Sequence, residues 1–497
     1  MHIIFADPPV AGIGKLQQGP NLGILYLSSY IKRAVPGVSV HYIPERYPIR
    51  HHVRIIRTYN VKVYAISFTS YSALRAYSLV KYLKARFPHL IVICGGPHPS
   101  AAPREVVFQE GVDACVIGEG EVTFAELVRN AHAFPSALAK IAGIAYRTDG
   151  QFLVNAPRPF VADIDDLPFP DRSIVNDDDF AGLPLARRAP TAEMVVTRGC
   201  PYRCIFCSNP VFRPEELRRK SEPFVGQGLK LTNSAVGRSL RMRSPSAIAD
   251  EANQLYQLGY REIYLHSDEL NCDLPWAIAV CEALAGLGHR DLSFQTNIRA
   301  DKITPEFARA LQGMNMWLVR LGVESSSPRV MRAQKKKVTL AQVEDACALL
   351  SEHRIKVFGY FMMFQLWEEN QQLCHETAEE VEQTIAFAES LRDRRHLHYI
   401  GWAVATPIQG AEMHQVALRH RLIDNSFYPS HRWHLSRHLP GVSRHDFNRL
   451  LKRGLRLQAS LALQNGGIGW GNWRRILSKT MRMIMADSAP RISDFSG

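Results

Sequence analysis

Three thiols crowd into eight residues, Cys200-Pro201-Tyr202-Arg203-Cys204-Ile205-Phe206-Cys207. The run follows the apolar stretch Met194–Thr197, which predicts a loop at the end of a strand. A loop lets all three sulfurs reach one compact soft-metal centre, whereas a helix would turn them in different directions. Thiolates select iron–sulfur clusters or zinc. Three ligands with no fourth nearby leave one metal open, as catalytic sites require and structural zinc sites avoid. The other cysteines add no second CxxC pair: Cys94 and Cys115 end strands and read as packing residues, and Cys347 and Cys374 are weak candidates. Cys272 lies close behind Asp268 and Glu269, where a substrate-facing role is the alternative to packing.

The elements that must hold this loop alternate strand and helix. A first series has strands at His2–Ala6, Val38–Ile43, Val63–Ser67, Leu90–Cys94 and Ala114–Ile117, with helical patterns such as Leu22–Ala34 and Tyr71–Phe87 between them. Short continuous apolar runs are expected of parallel strands buried on both faces. Small residues stand at their carboxyl ends, at Ser67, Gly95-Gly96 and Gly118-Glu119-Gly120, where open parallel sheets bind ligands. A second series places strands at Met194–Thr197, Glu262–His266, Leu292–Thr296, Trp317–Val323, Val357–Met363 and Tyr399–Val404. Six such units predict a barrel or partial barrel with its site at the C-terminal strand ends. Between the series, the aspartate- and proline-rich stretch reads as a linker with some strand content.

The CxxxCxxC spacing, with Phe206 before the last cysteine, resembles the radical S-adenosylmethionine (radical SAM) superfamily. The resemblance implies that Cys200, Cys204 and Cys207 hold a 4Fe-4S cluster and that SAM chelates the open iron. Ser267-Asp268-Glu269 resembles the loop that takes the methionine amino group, and carboxylates suit an ammonium. Gly322-Val323-Glu324-Ser325 resembles the ribose-binding strand end, with Glu324 accepting hydroxyls. Asn297 and Arg299, after the intervening strand, are further SAM or substrate contacts on this reading. Thr406-Pro407-Ile408-Gln409-Gly410 resembles the turn after the sixth strand. One segment departs from the family. After the fifth strand a Gly-Xaa-Pro-Gly-Glu-Thr-like turn is usual, but here Phe364-Gln365-Leu366-Trp367-Glu368-Glu369 intervenes and Glu376-Thr377 comes later.

The N-terminal series, with Gly95-Gly96-Pro97-His98-Pro99 and Gly118-Glu119-Gly120-Glu121, resembles the cobalamin-binding domain fused to many of these enzymes. Ser67, Gly95, Gly96, Gly118 and Glu119 are the cobalamin-contact candidates. Proline stands at Pro9, where other cobalamin proteins carry a cobalt-ligating histidine, so binding without such a ligand is expected. His98 reads as a residue that fixes its loop by hydrogen bonding. The expected architecture is α/β. A doubly wound, Rossmann-like cobalamin-binding-type domain (1–132) and a linker (133–190) precede a partial (β/α)6 TIM-like radical SAM barrel (191–412) and a helical basic region (413–497).

The activity implied is homolysis of SAM to a 5′-deoxyadenosyl radical that takes hydrogen from an unactivated C–H bond, with cobalamin-dependent C-methylation as the leading outcome. Radical dehydration, epimerisation, cyclisation or C–C bond formation without cobalamin is the alternative. A tRNA-modifying or nucleic-acid-binding role is a third, motivated by 60 Lys and Arg against 47 Asp and Glu, a net +13. No RNA-binding module is recognisable, so nucleic acid is not favoured. The charge concentrates between His431 and Met485, with eleven basic residues and one acid, interleaved with Trp433, Trp470 and Trp473. That tail is expected to close the barrel over a small-molecule or lipid-like, anionic substrate; docking of a flavodoxin or ferredoxin reductant is the rival use. Lys335-Lys336-Lys337 reads as a solvated face from which one lysine reaches a SAM carboxylate or a substrate phosphate. At 46% hydrophobic and 22% charged, with nine cysteines, the composition excludes a disordered chain, a collagen-like repeat and a small disulfide scaffold. No stretch is long and apolar enough to span a bilayer and the first residues carry no basic export signal, so a cytoplasmic location is expected.

Overall fold

A computed structural model of the chain describes residues 1–10, 17–209, 240–429 and 439–465. The chain divides into two compact units. The first is built on Met1–Ala181 and the second on Gly182–Cys207 together with the described residues from Met242 onward.

In the first unit, strands β1 (His2–Ala6), β2 (Ser39–Ile43), β3 (Val63–Ser67), β4 (Ile91–Gly95), β5 (Ala114–Val116), β6 (Ile144–Thr148) and β7 (Gln151–Val154) form one sheet. Its order is β2-β1-β3-β4-β5-β6-β7. The first five strands are parallel, and β6 and β7 continue the sheet antiparallel. Ile3, Ile4, Phe5 and Ala6 are all buried, as a central strand covered on both faces requires. The strand order reverses between β1 and β3, which opens a crevice at their carboxyl ends. The helix Leu22–Ala34 that leaves this crevice is capped by the Asn21 side chain, accepting from Ile24 N, and ends on Lys32 and Arg33. The hairpin β6–β7 comes from the segment expected to be a linker. Its turn residues Asp149 and Gly150 both have positive φ (47° and 75°), the conformation a tight hairpin needs.

The second unit is a six-stranded parallel sheet of β8 (Thr191–Val195), β9 (Glu262–His266), β10 (Ser293–Ile298), β11 (Met316–Glu324), β12 (Lys356–Met363) and β13 (Tyr399–Val404). The strands lie in chain order from β8 to β13, and those two do not pair, so this is a partial barrel. Its helices start where the chain offers caps: Ser244, Asp273, Thr304, Thr339 and Thr377 each accept a backbone N–H of the first turn. The residues that displace Glu376 and Thr377 form an antiparallel hairpin, Leu366–Glu369 with Gln372–His375. Thr377 and Glu380 then make a capping box for helix Ala378–Asp393.

Within the C-terminal region, helix Arg444–Gln464 packs on this unit, stacking Phe447 on Phe364 with ring centroids 5.0 Å apart. Its Arg449 and Arg453 are engaged by Glu382 and Glu389. Trp433, Trp470 and Trp473, with Arg432, Arg437, Arg474, Arg475 and Arg482 of the basic tail, lie outside the described residues.

Candidate functional site

The cysteine loop leaves the C-terminal end of β8 and is fixed by contacts made between the thiols. Ile205 N donates to Gln334 O (3.3 Å), Ile205 O accepts from Met413 N (2.9 Å), and Cys207 N donates to Cys204 O (3.2 Å). The Ile205 side chain packs with Val330 and Trp367. The Tyr202 ring lies 3.7 Å from the Arg299 guanidinium. Arg299 also grips Asp301 with two hydrogen bonds (2.9 and 3.0 Å) and donates to Lys336 O (2.9 Å). One arginine thus ties the cysteine loop, the end of β10 and the loop after β11.

Cys200, Cys204 and Cys207 are half-buried and form no disulfide. Burial pushes Cys200 up to about 12, and Asp268, Glu269 and Cys272 add to it against a lowering hydrogen bond from the Tyr202 backbone. Burial likewise raises Cys204, opposed by Lys336 and Arg299 and reinforced by Glu324 and Glu269. Such thiols need a metal's charge to ionise them, and coordination does so. Among the described residues no three His, Cys, Asp or Glu side chains converge on a single ion. A cluster asks for a wider spread, since each thiolate binds a different iron. The donor set fits that group.

At the end of β9, Ser267 Oγ meets Thr197 Oγ1 (2.8 Å) and accepts from Glu269 N (3.1 Å). Burial lifts the Glu269 carboxyl to about 7, although Lys336 and Arg299 pull it down. Its Oε2 is buried with no hydrogen-bond partner among the described residues. An orphaned acceptor beside Asp268 fits an incoming ammonium. The neighbouring Asn271 holds the loop, donating to Arg299 O (2.8 Å) and accepting from Arg299 N (2.9 Å).

At the end of β11 the register with β12 slips between Gly322 and Glu324, a bulge that re-aims the glutamate. Glu324 sits at φ 68° and receives Lys336 Nζ at 3.1 Å, with both side chains buried. Burial works against the Lys336 charge, but Glu324, Glu269 and Cys204 outweigh it and hold the ammonium above the ordinary lysine range. A Cβ at Gly322 would stand 2.5 Å from both Glu324 Oε1 and Lys336 Nζ, so the pair occupies space that only glycine leaves. Behind it, Ser325 Oγ donates to Glu376 (2.7 Å) and Ser326 N to Thr384 Oγ1 (2.9 Å). Burial lifts Glu376 to about 8.

Of the other sequence candidates, Asn297 accepts from the Tyr264 hydroxyl (2.9 Å) on the inner wall of the barrel. Arg299 is committed to Asp301, Tyr202 and Lys336 O, which makes it an organiser of the site. Of the run Lys335-Lys336-Lys337, from which one lysine is expected to reach inward, Lys336 is the one that does, and its partner is Glu324. Lys335 beside it is exposed and paired with Glu412.

In the first unit the candidates do cluster at strand ends. Gly96 (φ 98°) lies so close to Ser67 and Phe68 that a Cβ would meet Ser67 Oγ at 2.8 Å. Gly118 N donates to Ser100 Oγ (3.0 Å). Glu119 receives both arms of Arg241 (2.8 and 2.9 Å) and Val161 N (3.2 Å), so its carboxylate braces the loop. His98 is buried between Ser70 Oγ and the Tyr77 hydroxyl, each at 2.9 Å. At the crevice, Asp7 is buried under Tyr42 (2.5 Å), Gln17 (3.0 Å) and Asn21 (3.0 Å).

Comparison with known proteins agrees with this two-part geometry. The B12 binding domain family model matches residues 14–128, and the Radical SAM superfamily model matches residues 194–388. An uncharacterized methyltransferase of Pyrococcus horikoshii is 27% identical over 85% of this chain and 84% of its own. An anaerobic magnesium-protoporphyrin IX monomethyl ester cyclase of Cereibacter sphaeroides is 24% identical over 78% of this chain and 60% of its own. Among solved structures, the cobalamin-dependent SAM radical enzyme OxsB, with aqua-cobalamin and SAM bound, superposes at TM-score 0.62 and 17% identity, covering 98% of this chain and 80% of that one. The radical SAM methyltransferase TsrM from Kitasatospora setae, with cobalamin and a 4Fe-4S cluster bound, gives 0.59 at 15% identity, over 83% of this chain and 73% of its own.

Proposed function

We propose that this chain, which belongs to the radical SAM enzymes carrying an N-terminal B12-binding domain, methylates an unactivated carbon of a small-molecule substrate. The observation that carries the reading is one arrangement at the C-terminal strand ends of the barrel. There the three-thiol loop, the orphaned Glu269 carboxyl and the Glu324–Lys336 pair are tied together through Arg299. When bound, the cluster supplies the electron that cleaves SAM homolytically, and cobalamin supplies the methyl group.

The chain's own residues bind and orient. Cys200, Cys204 and Cys207 are the cluster ligands. Asp268 and Glu269 take the methionine ammonium of SAM, with Ser267 fixing their turn. Glu324 accepts ribose hydroxyls, and Lys336 orients its carboxylate. Arg299 keeps the cysteine loop in register with these groups, and the buried Ser325–Glu376–Thr384 network holds the strand end behind them. Low water access around these side chains protects radical chemistry from side reactions. In the first unit, Ser67, Gly95, Gly96 and Gly118 form the small-residue floor for cobalamin, with Glu119 bracing it. A flavodoxin or ferredoxin is the proposed electron donor. Among the described residues no helix is long and apolar enough to cross a membrane.

The test is a Cys204→Ala variant in the reconstituted protein. It should lose the cluster absorption and all SAM cleavage, and retained cleavage would overturn the assignment. Hydroxocobalamin added to the same preparation should co-elute with the protein; its failure to bind removes methyl transfer and favours the second reading. That reading, a radical cyclisation or related rearrangement, is supported by the likeness to the cyclase.

A further inference from the structure

Below the SAM residues the inner wall of the barrel carries a cation that no carboxylate of the described residues pairs with. A Cβ on Gly322 would point at Glu324 and Lys336, so Gly322 faces the site, and Arg320, two residues back on β11, shares that face. The separation along the strand is about 7 Å. Arg320 is 7% exposed. Its Nη2 donates to Gln295 Oε1 (2.6 Å), and its guanidinium lies 4.7 Å from the Tyr264 ring and 6.0 Å from Phe358. Nη1 is buried without a hydrogen-bond partner among the described residues.

Among the described residues no carboxylate lies within ion-pair distance of it, because the acids of this wall are engaged elsewhere. Glu262 takes Arg187 N (2.7 Å), Arg188 N (2.8 Å) and Trp317 Nε1 (2.9 Å), as well as the Ser293 hydroxyl and the Gln295 amide. Glu193 is paired with His266 (2.7 Å). Burying a guanidinium among aromatic rings, with one amide and one neutral hydroxyl as polar company, is unfavourable unless an anion completes it.

The neighbours are suited to that anion. Asn297 is the register partner of Arg320 on the adjacent strand. Its Oδ1 already accepts from Tyr264, which leaves the amide as a donor. The Tyr360 hydroxyl interacts with Arg320, and Tyr360 is 42% exposed, so this part of the wall is open to a ligand. Gly401, paired with Tyr360 in the sheet, makes the room: a Cβ there would stand 3.0 Å from the Phe358 ring and 3.3 Å from Tyr360.

We infer that Arg320, with Asn297 and Tyr360 beside it, is the subsite that binds an oxyanion of the substrate, a carboxylate or a phosphate. A planar guanidinium presents paired N–H groups that match either group and fix its orientation. The inference rests on the proposed use of the barrel mouth for SAM, and it deepens that reading by naming the substrate class as one with an oxyanion on an arm that reaches down the barrel from the reacting carbon.

Isothermal titration of inorganic phosphate, and separately of malonate, into the cluster-reconstituted full chain tests it. The expected result is binding of at least one probe that weakens tenfold or more in Arg320→Gln and by less in Arg320→Lys, which keeps the charge but not the fork. The tighter probe identifies the group as phosphoryl or carboxyl. A wild-type protein that binds neither, or an Arg320→Gln variant that binds both as tightly as wild type, overturns the proposal. If Arg320→Gln does not fold, Tyr360→Phe decides: a threefold or larger loss of affinity supports the subsite, and unchanged affinity overturns it. A wild-type protein that binds a probe in this Arg320-dependent way yet does not cleave SAM with dithionite counts against the SAM reading and not against the subsite.

Discussion

Lys336 reaches Glu324 at 3.1 Å through space that a methyl group at position 322 would fill. Glu324 holds a left-handed backbone conformation (φ 68°), which costs a non-glycine residue about 1–2 kcal/mol. The bulge, the buried ion pair and the missing Cβ therefore work together: the strain aims the carboxylate, the lysine holds it, and the glycine makes room for both.

Gly322→Ala should break this arrangement. The added Cβ must displace the carboxylate or the ammonium, and overpacking of this kind costs about 1–3 kcal/mol. SAM affinity, measured by equilibrium dialysis, should fall tenfold or more. Wild-type affinity in a folded variant would show that Glu324 does not hold SAM.

Arg299→Lys should leave most of the fold intact and impair cluster loading. Lysine keeps the charge but loses the bidentate grip on Asp301 and the planar stack on Tyr202. Iron bound after anaerobic reconstitution should drop below half of the wild-type amount. Full loading would mean that the Tyr202 clamp does not position the cysteines.

Glu376 gives a pH dependence whose sign is fixed. Its carboxyl titrates at about 8 in the folded chain because it is buried, against an ordinary value of 4.5. Between those values the folded state keeps a proton that the unfolded chain has released, so this contribution is fully present at low pH and is lost as pH rises toward 8. Glu376→Gln removes the titration. The melting temperature of wild type minus that of the variant should therefore shrink from pH 5 to pH 8, and a constant difference would refute the buried, protonated carboxyl.

Gly96→Ala tests the cobalamin floor. The position combines φ 98° with backbone of Phe68 only 3.1 Å from the site of a Cβ. Stability should fall by about 1–3 kcal/mol, and hydroxocobalamin co-elution should weaken. A variant with wild-type melting and wild-type cobalamin binding would remove Gly96 from the site.

Much of this was legible in the sequence because buried parallel strands announce themselves. His2–Ala6, Val63–Ser67, Glu262–His266 and Tyr399–Val404 are apolar-rich runs with polar or turn residues beside them, and the strands begin and end with the runs. Hairpin β6–β7 is the strand content of the segment that reads as a linker, and its place was within reach. Asp149-Gly150 between Ile144–Thr148 and Gln151–Val154 is a strong turn signal, masked by the proline-rich residues after it. The lysine run is only partly legible: one of the three is expected to reach an anion, but that it is the middle one, buried on Glu324, follows only from the long-range meeting in the fold. Arg299 reads as a ligand contact because it follows a strand end, whereas its stack on Tyr202 exists only in the fold. The hairpin after β12 turns at Asn370 and Gln371, both with positive φ, and without a glycine there the sequence gives little notice of it.

The anchoring of the cysteine loop sets how an inorganic centre is installed. Ile205 is bonded through both its N–H and its carbonyl to separate parts of the barrel, and Tyr202 is clamped by Arg299. The backbone around the thiols has thus already surrendered the conformational freedom that metal ligation would otherwise have to remove, about 1–2 kcal/mol for each residue fixed. On the proposed assignment of the cysteines, cluster insertion is expected to be docking into a prepared socket instead of metal-driven folding, and a protein stripped of its cluster is expected to keep the shape needed to take up another.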